Sequence, residues 1–211
     1  MGEEGEGLPF SIEPGKILSK ENIENVTREL GPDFVIKTPT AKSREEGRNS
    51  LEYLKQTKAD YELLREYVGD FVPDTFFVRA KEDGEVANFI VQKRLKGKII
   101  PLHQLDDGGL QDANIRSQLL TFVRGVIKMD GDTGKIPDMF GRPLDSKNPR
   151  FYNPRYADNI CVLEDDLGNR RVILTDVGAI TEHSEKGGLH HKLSMKLVRR
   201  NLRKLEEQLS Q

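Results

Sequence analysis

Two oxygen-bearing side chains stand at the ends of one short hairpin pattern. Asn159 comes directly before the apolar run Ile160 to Leu163, and Asp176 directly after the run Val172 to Leu174, within Thr-Asp-Val-Gly. The stretch Glu164 to Arg170 carries turn chemistry in Asp165, Asp166, Gly168 and Asn169. An antiparallel hairpin returns its last residue to its first, so the Asn159 amide oxygen and the Asp176 carboxylate would converge. That pair suits a hard cation such as Mg²⁺, with phosphate oxygens and water completing the shell. The same residues also suit a plain surface hairpin with polar ends, and the surrounding elements have to decide.

The chain has 211 residues, enough for one large domain or two small lobes. Its net charge of −2 gives no global field for nucleic acid or an acidic membrane. Cys161 is the single cysteine, which excludes an intrachain disulfide and points to a reducing, cytoplasmic setting. Within an apolar run it reads as a small core residue. No apolar run approaches the roughly 20 residues a membrane span needs, and no secretory leader pattern opens the chain.

Residues 1–7 are rich in Gly and Glu and read as disordered. Weak strand patterns follow at Phe10–Ile12 and Ile23–Val26, then a firmer one at Asp33 to Lys37. Residues 43 to 69 carry Leu51, Leu54, Leu63, Leu64, Tyr67 and Val68 at helical spacing, with Thr57-Lys58-Ala59 marking a division into two helices. Phe76 to Ala80 and Asn88 to Gln92 flank a Gly-containing turn and read as a hairpin. A charged connector runs from Gln92 to Gly97. The periodicity of Ile115, Leu119, Leu120, Val123, Val126 and Ile127 predicts a buried helix over roughly 111–128, ended by the Asp130 to Gly134 stretch. A last helix from about Leu189 has a leucine stripe and a basic face of Lys192, Lys196, Arg199, Arg200, Arg203 and Lys204. Such a face would meet an acidic partner or simply be solvated while the leucines pack.

In this order (strands, strand with lysine, helix, hairpin, linker, long helix, Asn-headed hairpin, Asp-x-Gly) the chain resembles the protein-kinase-like fold. The resemblance implies an α+β, two-lobed architecture: a small antiparallel-sheet lobe over 8–95 and a reduced, mainly helical lobe over 96–211. It implies a phosphotransferase using ATP and Mg²⁺, with Asn159 and Asp176 as metal ligands. Val35-Ile36-Lys37 is similar to the end of the Val-Ala-Ile-Lys strand, which makes Lys37 the residue that grips nucleotide phosphates. Glu62, or failing it Glu52, would be the helical glutamate that holds that lysine. Gln92, Lys93 and Arg94 would form the linker whose backbone meets the adenine edge. Asp138, in Ile136-Pro-Asp-Met-Phe-Gly, would be the catalytic base for a small-molecule or protein hydroxyl.

Three departures leave a second reading open. No Gly-x-Gly-x-x-Gly precedes Lys37. Asp138 and Asn159 stand 21 residues apart where the family pattern has five, so either residues 142–158 are an insertion or the base is lost. Asp158 is a nearer carboxylate. Only 35 residues follow Asp176, too few for the helices that dock a peptide substrate. The alternative is a catalytically inactive pseudokinase that binds nucleotide or a partner.

Overall fold

The structure, a computed structural model, describes residues 17–19, 25–82, 85–105, 112–137, 139, 159–176, 180–182 and 189–211. The fold is mixed α+β, with one unit built on an antiparallel sheet and another carrying the long helices. The first comprises Met1–Ala59 and Asp74–Arg94, the second Asp60–Pro73 and Leu95–Gln211.

In the first unit, β1 (Ile17–Ser19), β2 (Asn25–Leu30), β3 (Phe34–Pro39), β4 (Thr75–Glu82) and β5 (Glu85–Lys93) form one sheet in the order β1-β2-β3-β5-β4. All its pairings are antiparallel. Gly31, with φ at 65°, supplies the left-handed residue that the tight β2–β3 turn requires. Alternation puts Ile36, Ala87 and Phe89 into one apolar cluster, joined by Leu30, Val78, Ala80 and Val91. On the other face Asn88 is also buried. Its amide donates to the carbonyls of Arg48 (3.0 Å) and Ser50 (2.8 Å), and its backbone N–H donates to Asn49 Oδ1 (2.8 Å). The sheet thereby holds the segment that starts the next helix.

That segment runs from a helical turn α1 (Ala41–Ser43) through a π turn at Arg44–Arg48 to α2 (Leu51–Val68). The helix break falls at Gly47, whose φ of 86° leaves the helical region. The expected division at Thr57 to Ala59 is not there: α2 is continuous, because Thr57 is buried and its hydroxyl donates to the Tyr53 carbonyl (2.8 Å). The expected strand at Phe10–Ile12 lies outside the described residues. Of the strand expected at Ile23–Val26, residues 23–24 lie outside the described residues, and the described strand runs over Asn25–Leu30, where all six residues pair with β3.

The second unit contains the end of α2, β6 (Lys98–Pro101), α3 (Ala113–Thr133), β7 (Lys135–Pro137), β8 (Ile160–Glu164), β9 (Arg170–Leu174), β10 (Ile180–Glu182) and α4 (Leu189–Ser210). β6, β8 and β9 form an antiparallel sheet in that order, and β7 pairs with β10. Asp112 caps α3 by accepting from the N–H groups of Asn114 and Ile115, and Gly134 ends it in the left-handed conformation. The helix therefore runs through the Asp130 to Thr133 stretch that was expected to end it. Ile115, Leu119, Phe122, Val123, Val126 and Met129 are buried along one face, each worth roughly 1.5–3 kcal/mol if fully transferred from water.

Polar side chains fix that helix to its neighbours. Gln118 accepts from the Val172 N–H (2.9 Å) and donates to the Arg170 carbonyl (3.3 Å), pinning α3 to β9. Asp130 accepts two hydrogen bonds from Arg199 (2.6 Å each), tying α3 to α4. The Arg199 guanidinium is accordingly held above its ordinary pKa, first by the Asp130 hydrogen bond. Leu202, Leu205 and Leu209 are buried, so the leucine stripe of α4 packs within its own unit, while Lys196, Arg200 and Arg203 are exposed. Among the described residues no helix is long and apolar enough to cross a membrane.

Candidate functional site

The hairpin expected between Asn159 and Asp176 is present. β8 and β9 pair in the register Ile160↔Leu174, with both strands' apolar residues buried. Its turn is built by Asp165, which accepts from the N–H groups of Leu167 (2.9 Å) and Asn169 (2.8 Å) and from the Asn169 amide (2.9 Å). Gly168, at φ 79°, completes it. The Asn169 side chain, then the backbone N–H groups, hold the Asp165 carboxyl below its ordinary range. Cys161 is buried with Leu163 and Ile173 and touches Leu95 as a core residue.

At the open end, three separate stretches are laced by backbone hydrogen bonds. The Asn159 N–H donates to the Met139 carbonyl (3.1 Å), and the Thr175 N–H donates to the Asn159 carbonyl (2.9 Å), which also accepts from the Thr175 hydroxyl (3.2 Å). Asp176 is the next residue after Thr175. The side chains of Asn159 and Asp176 are both half-buried. Residues 139 and 159 are neighbours across that hydrogen bond. Asp138 lies outside the described residues, as does Asp158. Its chain neighbours Pro137 and Met139 are buried, and the Met139 N–H donates to the Pro137 carbonyl (2.9 Å).

β7 and β10 form a two-stranded ribbon whose strands adjoin the same stretches along the chain. Ile180 pairs with Pro137 and Glu182 with Lys135, so the strand that leads to Asp138 lies beside the strand that follows Asp176. Lys135 is tied by an ion pair of 2.9 Å to Asp60 in α2.

As a metal site the pair Asn159 and Asp176 offers two oxygen donors. Among the described residues no group of three His, Cys, Asp or Glu is placed to hold a metal.

The remaining site residues sit as follows. Lys37 is half-buried on β3, opposite Thr27 and Ile90 in the sheet. Glu62 and Glu52 are both exposed on α2. Gln92 is buried, with its amide donating to the Thr75 hydroxyl (3.4 Å). The Lys93 N–H donates to the Asp74 carbonyl and the Arg94 N–H to the Asp33 carbonyl (2.8 Å each), and the Arg94 side chain reaches Glu29 (3.1 Å). The backbone donors at 93 and 94 are therefore engaged at the end of the sheet. Sequence reasoning missed Met139, Thr175, Asp60 and Lys135. Met139 acts through its backbone, for which residue type is no signal, Thr175 through its N–H and hydroxyl, and the other two form an ion pair between residues 75 positions apart.

No family model and no curated protein matches the chain. Among solved structures it is similar to WbdD, with 14% identity and a TM-score of 0.44 over 93% of this chain and 46% of that one. It is similar to the GDP and kanamycin complex of APH(2")-IIia, with 16% identity and a TM-score of 0.39 over 96% of this chain and 86% of that one. A further WbdD structure, described as a bifunctional kinase-methyltransferase, gives 11% identity and a TM-score of 0.34 over 89% and 42%. The chain spans about half the length of the WbdD chains it matches.

Proposed function

We propose that this chain is a kinase-like phosphotransferase that moves a phosphoryl group from Mg·ATP to a hydroxyl acceptor. The observation that carries the reading is the lacing of Met139, Asn159 and Thr175. It brings Met139, the residue after the proposed base, beside Asn159, as a catalytic loop whose base stands far along the chain from its metal ligand requires. It also supports Asp138 as the base in spite of its distance along the chain from Asn159.

In this reading Asn159 and Asp176 hold Mg²⁺, which when bound neutralises charge on the nucleotide phosphates. The acceptor oxygen forms a bond to the γ-phosphorus as the bond from that phosphorus to the β,γ-bridging oxygen breaks. ADP departs, and the hydroxyl proton passes to the Asp138 carboxylate. The exposed cations Lys196, Arg200 and Arg203 of α4 would serve an acidic partner.

The test is ADP release from Mg·ATP. Asp138→Asn is expected to lower turnover by about 10²–10⁴-fold, the range for removal of a positioned base, while leaving nucleotide affinity in place. The second reading, a pseudokinase, is favoured by the missing glycine loop before Lys37. It requires Mg-dependent ATP binding with no ADP release at all, and Asp138→Asn without effect.

A further inference from the structure

Helix α4 spends its apolar stripe inside its own unit: Met195, Leu202, Leu205 and Leu209 are buried. What it shows to solvent is cationic. From Leu189 to Gln211 the chain holds six Lys and Arg against two Glu, a local excess in a protein whose net charge is −2. The charge is also sorted. Arg199 is held by Asp130 (2.6 Å), and Glu206 is taken by Arg124 of α3 (3.1 Å). Lys196, Arg200 and Arg203 are exposed, and among the described residues none of the three has an ion-pair partner. Spacings of four and three residues put them in one row about 10 Å long, with the half-buried Lys204 beside it. Like charges at these spacings destabilise a helix. A face that needs only solvation intersperses the two signs, as Lys42 and Glu46 do ahead of α2.

The composition of the row selects its occupant. From Lys196 onward the exposed side chains of α4 are Lys196, Arg200, Arg203, Glu207, Gln208 and Ser210, none of them apolar or aromatic. A protein interface gathers an apolar core and aromatic anchors, and single-stranded nucleic acid is held by bases stacked on aromatic rings. This surface supplies neither. Duplex nucleic acid is bound through fixed phosphates, about six to ten where binding is strong, more than so short a row can reach. Anionic lipids diffuse to the cations instead, and each Lys or Arg held at their surface multiplies binding about fivefold. The leucines are already buried, so α4 has no apolar face to insert among acyl chains, and attachment is by headgroup contact alone.

We propose that Lys196, Arg200 and Arg203 dock this protein on an anionic lipid bilayer, with α4 lying along the headgroups. The row takes no part in the metal chemistry proposed above, so vesicle binding and ADP release stand or fall separately.

The experiment is co-sedimentation of the full chain with vesicles of phosphatidylcholine alone and of an equal mixture of phosphatidylcholine and phosphatidylserine. Binding to the mixed vesicles is expected to exceed that to phosphatidylcholine by about 10²-fold, from three cations at about fivefold each. It should fall steeply as salt rises from about 0.05 M to about 0.5 M. The triple variant Lys196→Gln, Arg200→Gln, Arg203→Gln is expected to lose that excess and to keep the wild-type melting temperature, because all three side chains are exposed. Arg200→Gln alone should bind about fivefold more weakly. A second triple variant, Lys55→Gln, Lys81→Gln, Lys98→Gln, makes the same change in net charge at exposed positions outside α4 and is expected to bind as the wild type does.

Equal binding to the two kinds of vesicle, or an equal loss in the second triple variant, would overturn the docking role of α4. Duplex DNA that strips the chain from the mixed vesicles at matched phosphate concentration would overturn it as well, in favour of a nucleic-acid partner.

Discussion

Asn159 uses its backbone twice, independently of its side chain. Its N–H goes to Met139 and its carbonyl receives Thr175. Those bonds survive truncation of the side chain, so the residue's structural and ligand roles are separable. Asn159→Ala is expected to fold with a melting temperature within about 4 °C of wild type, the effect of about 1 kcal/mol in a chain of this size, and to lose affinity for Mg²⁺ in the presence of ATP. Isothermal titration of Mg²⁺ into the ATP-bound chain checks the second part. Asp165 gives a second residue-level test. Its folded pKa is depressed by Asn169 and the turn N–H groups, so its contribution to stability is present above the ordinary carboxylate pKa of about 4 and is lost as pH falls through the folded value. Asp165→Ala should therefore melt below wild type at pH 7, and the gap should narrow as the pH falls from about 4 through the folded value. A gap of constant size across that range would contradict the assignment.

Among the elements, α3 carries an internal comparison. Gly125 faces α2: a methyl group there would stand 2.5 Å from the Tyr67 carbonyl oxygen and 3.1 Å from Val68 Cγ1. Gly131 lies on the same helix with nothing within 4 Å. Gly125→Ala should destabilise by about 1–3 kcal/mol through overpacking, whereas Gly131→Ala should stabilise by about 0.5–1 kcal/mol through helix propensity. Chemical denaturation of the two variants measures both signs. Removing Asp130 or Arg199 should cost about 1.5–3 kcal/mol, as charged hydrogen bonds do. The same scale explains what was legible beforehand. α3, α4, the β4–β5 hairpin and the β8–β9 hairpin announce themselves through apolar period and turn residues. β7 and β10 are only three residues long, too short for a period, and they pair because tertiary context brings Lys135–Pro137 beside Ile180–Glu182. At Thr57 the polar patch was misleading, since a hydroxyl that bonds back to its own helix needs no break. The candidate metal pair was legible as two polar strand ends. The hydrogen bond that brings Met139 to it was not, because any residue has a carbonyl.

For the whole molecule, the division of the chain into two units runs through α2 at Ala59, with Asp60 the first helical residue of the second unit. The laced ends at Met139, Asn159 and Thr175, the β7–β10 ribbon and the Asp60–Lys135 pair all belong to that second unit. The proposed metal chemistry thus draws on one unit's own supports, and ligand binding there should be read out as stabilisation of the chain by mass action. The most direct measurement is a thermal-shift titration of ATP with and without Mg²⁺ on the wild type and Asp176→Ala. A metal–nucleotide site at the hairpin predicts that the wild-type midpoint rises only when ATP and Mg²⁺ are both present, by roughly 5–10 °C at 100 times Kd, where mass action contributes about 2.7 kcal/mol, and that Asp176→Ala shows no rise. No shift at millimolar ATP with Mg²⁺, or an equal shift in Asp176→Ala, would contradict it.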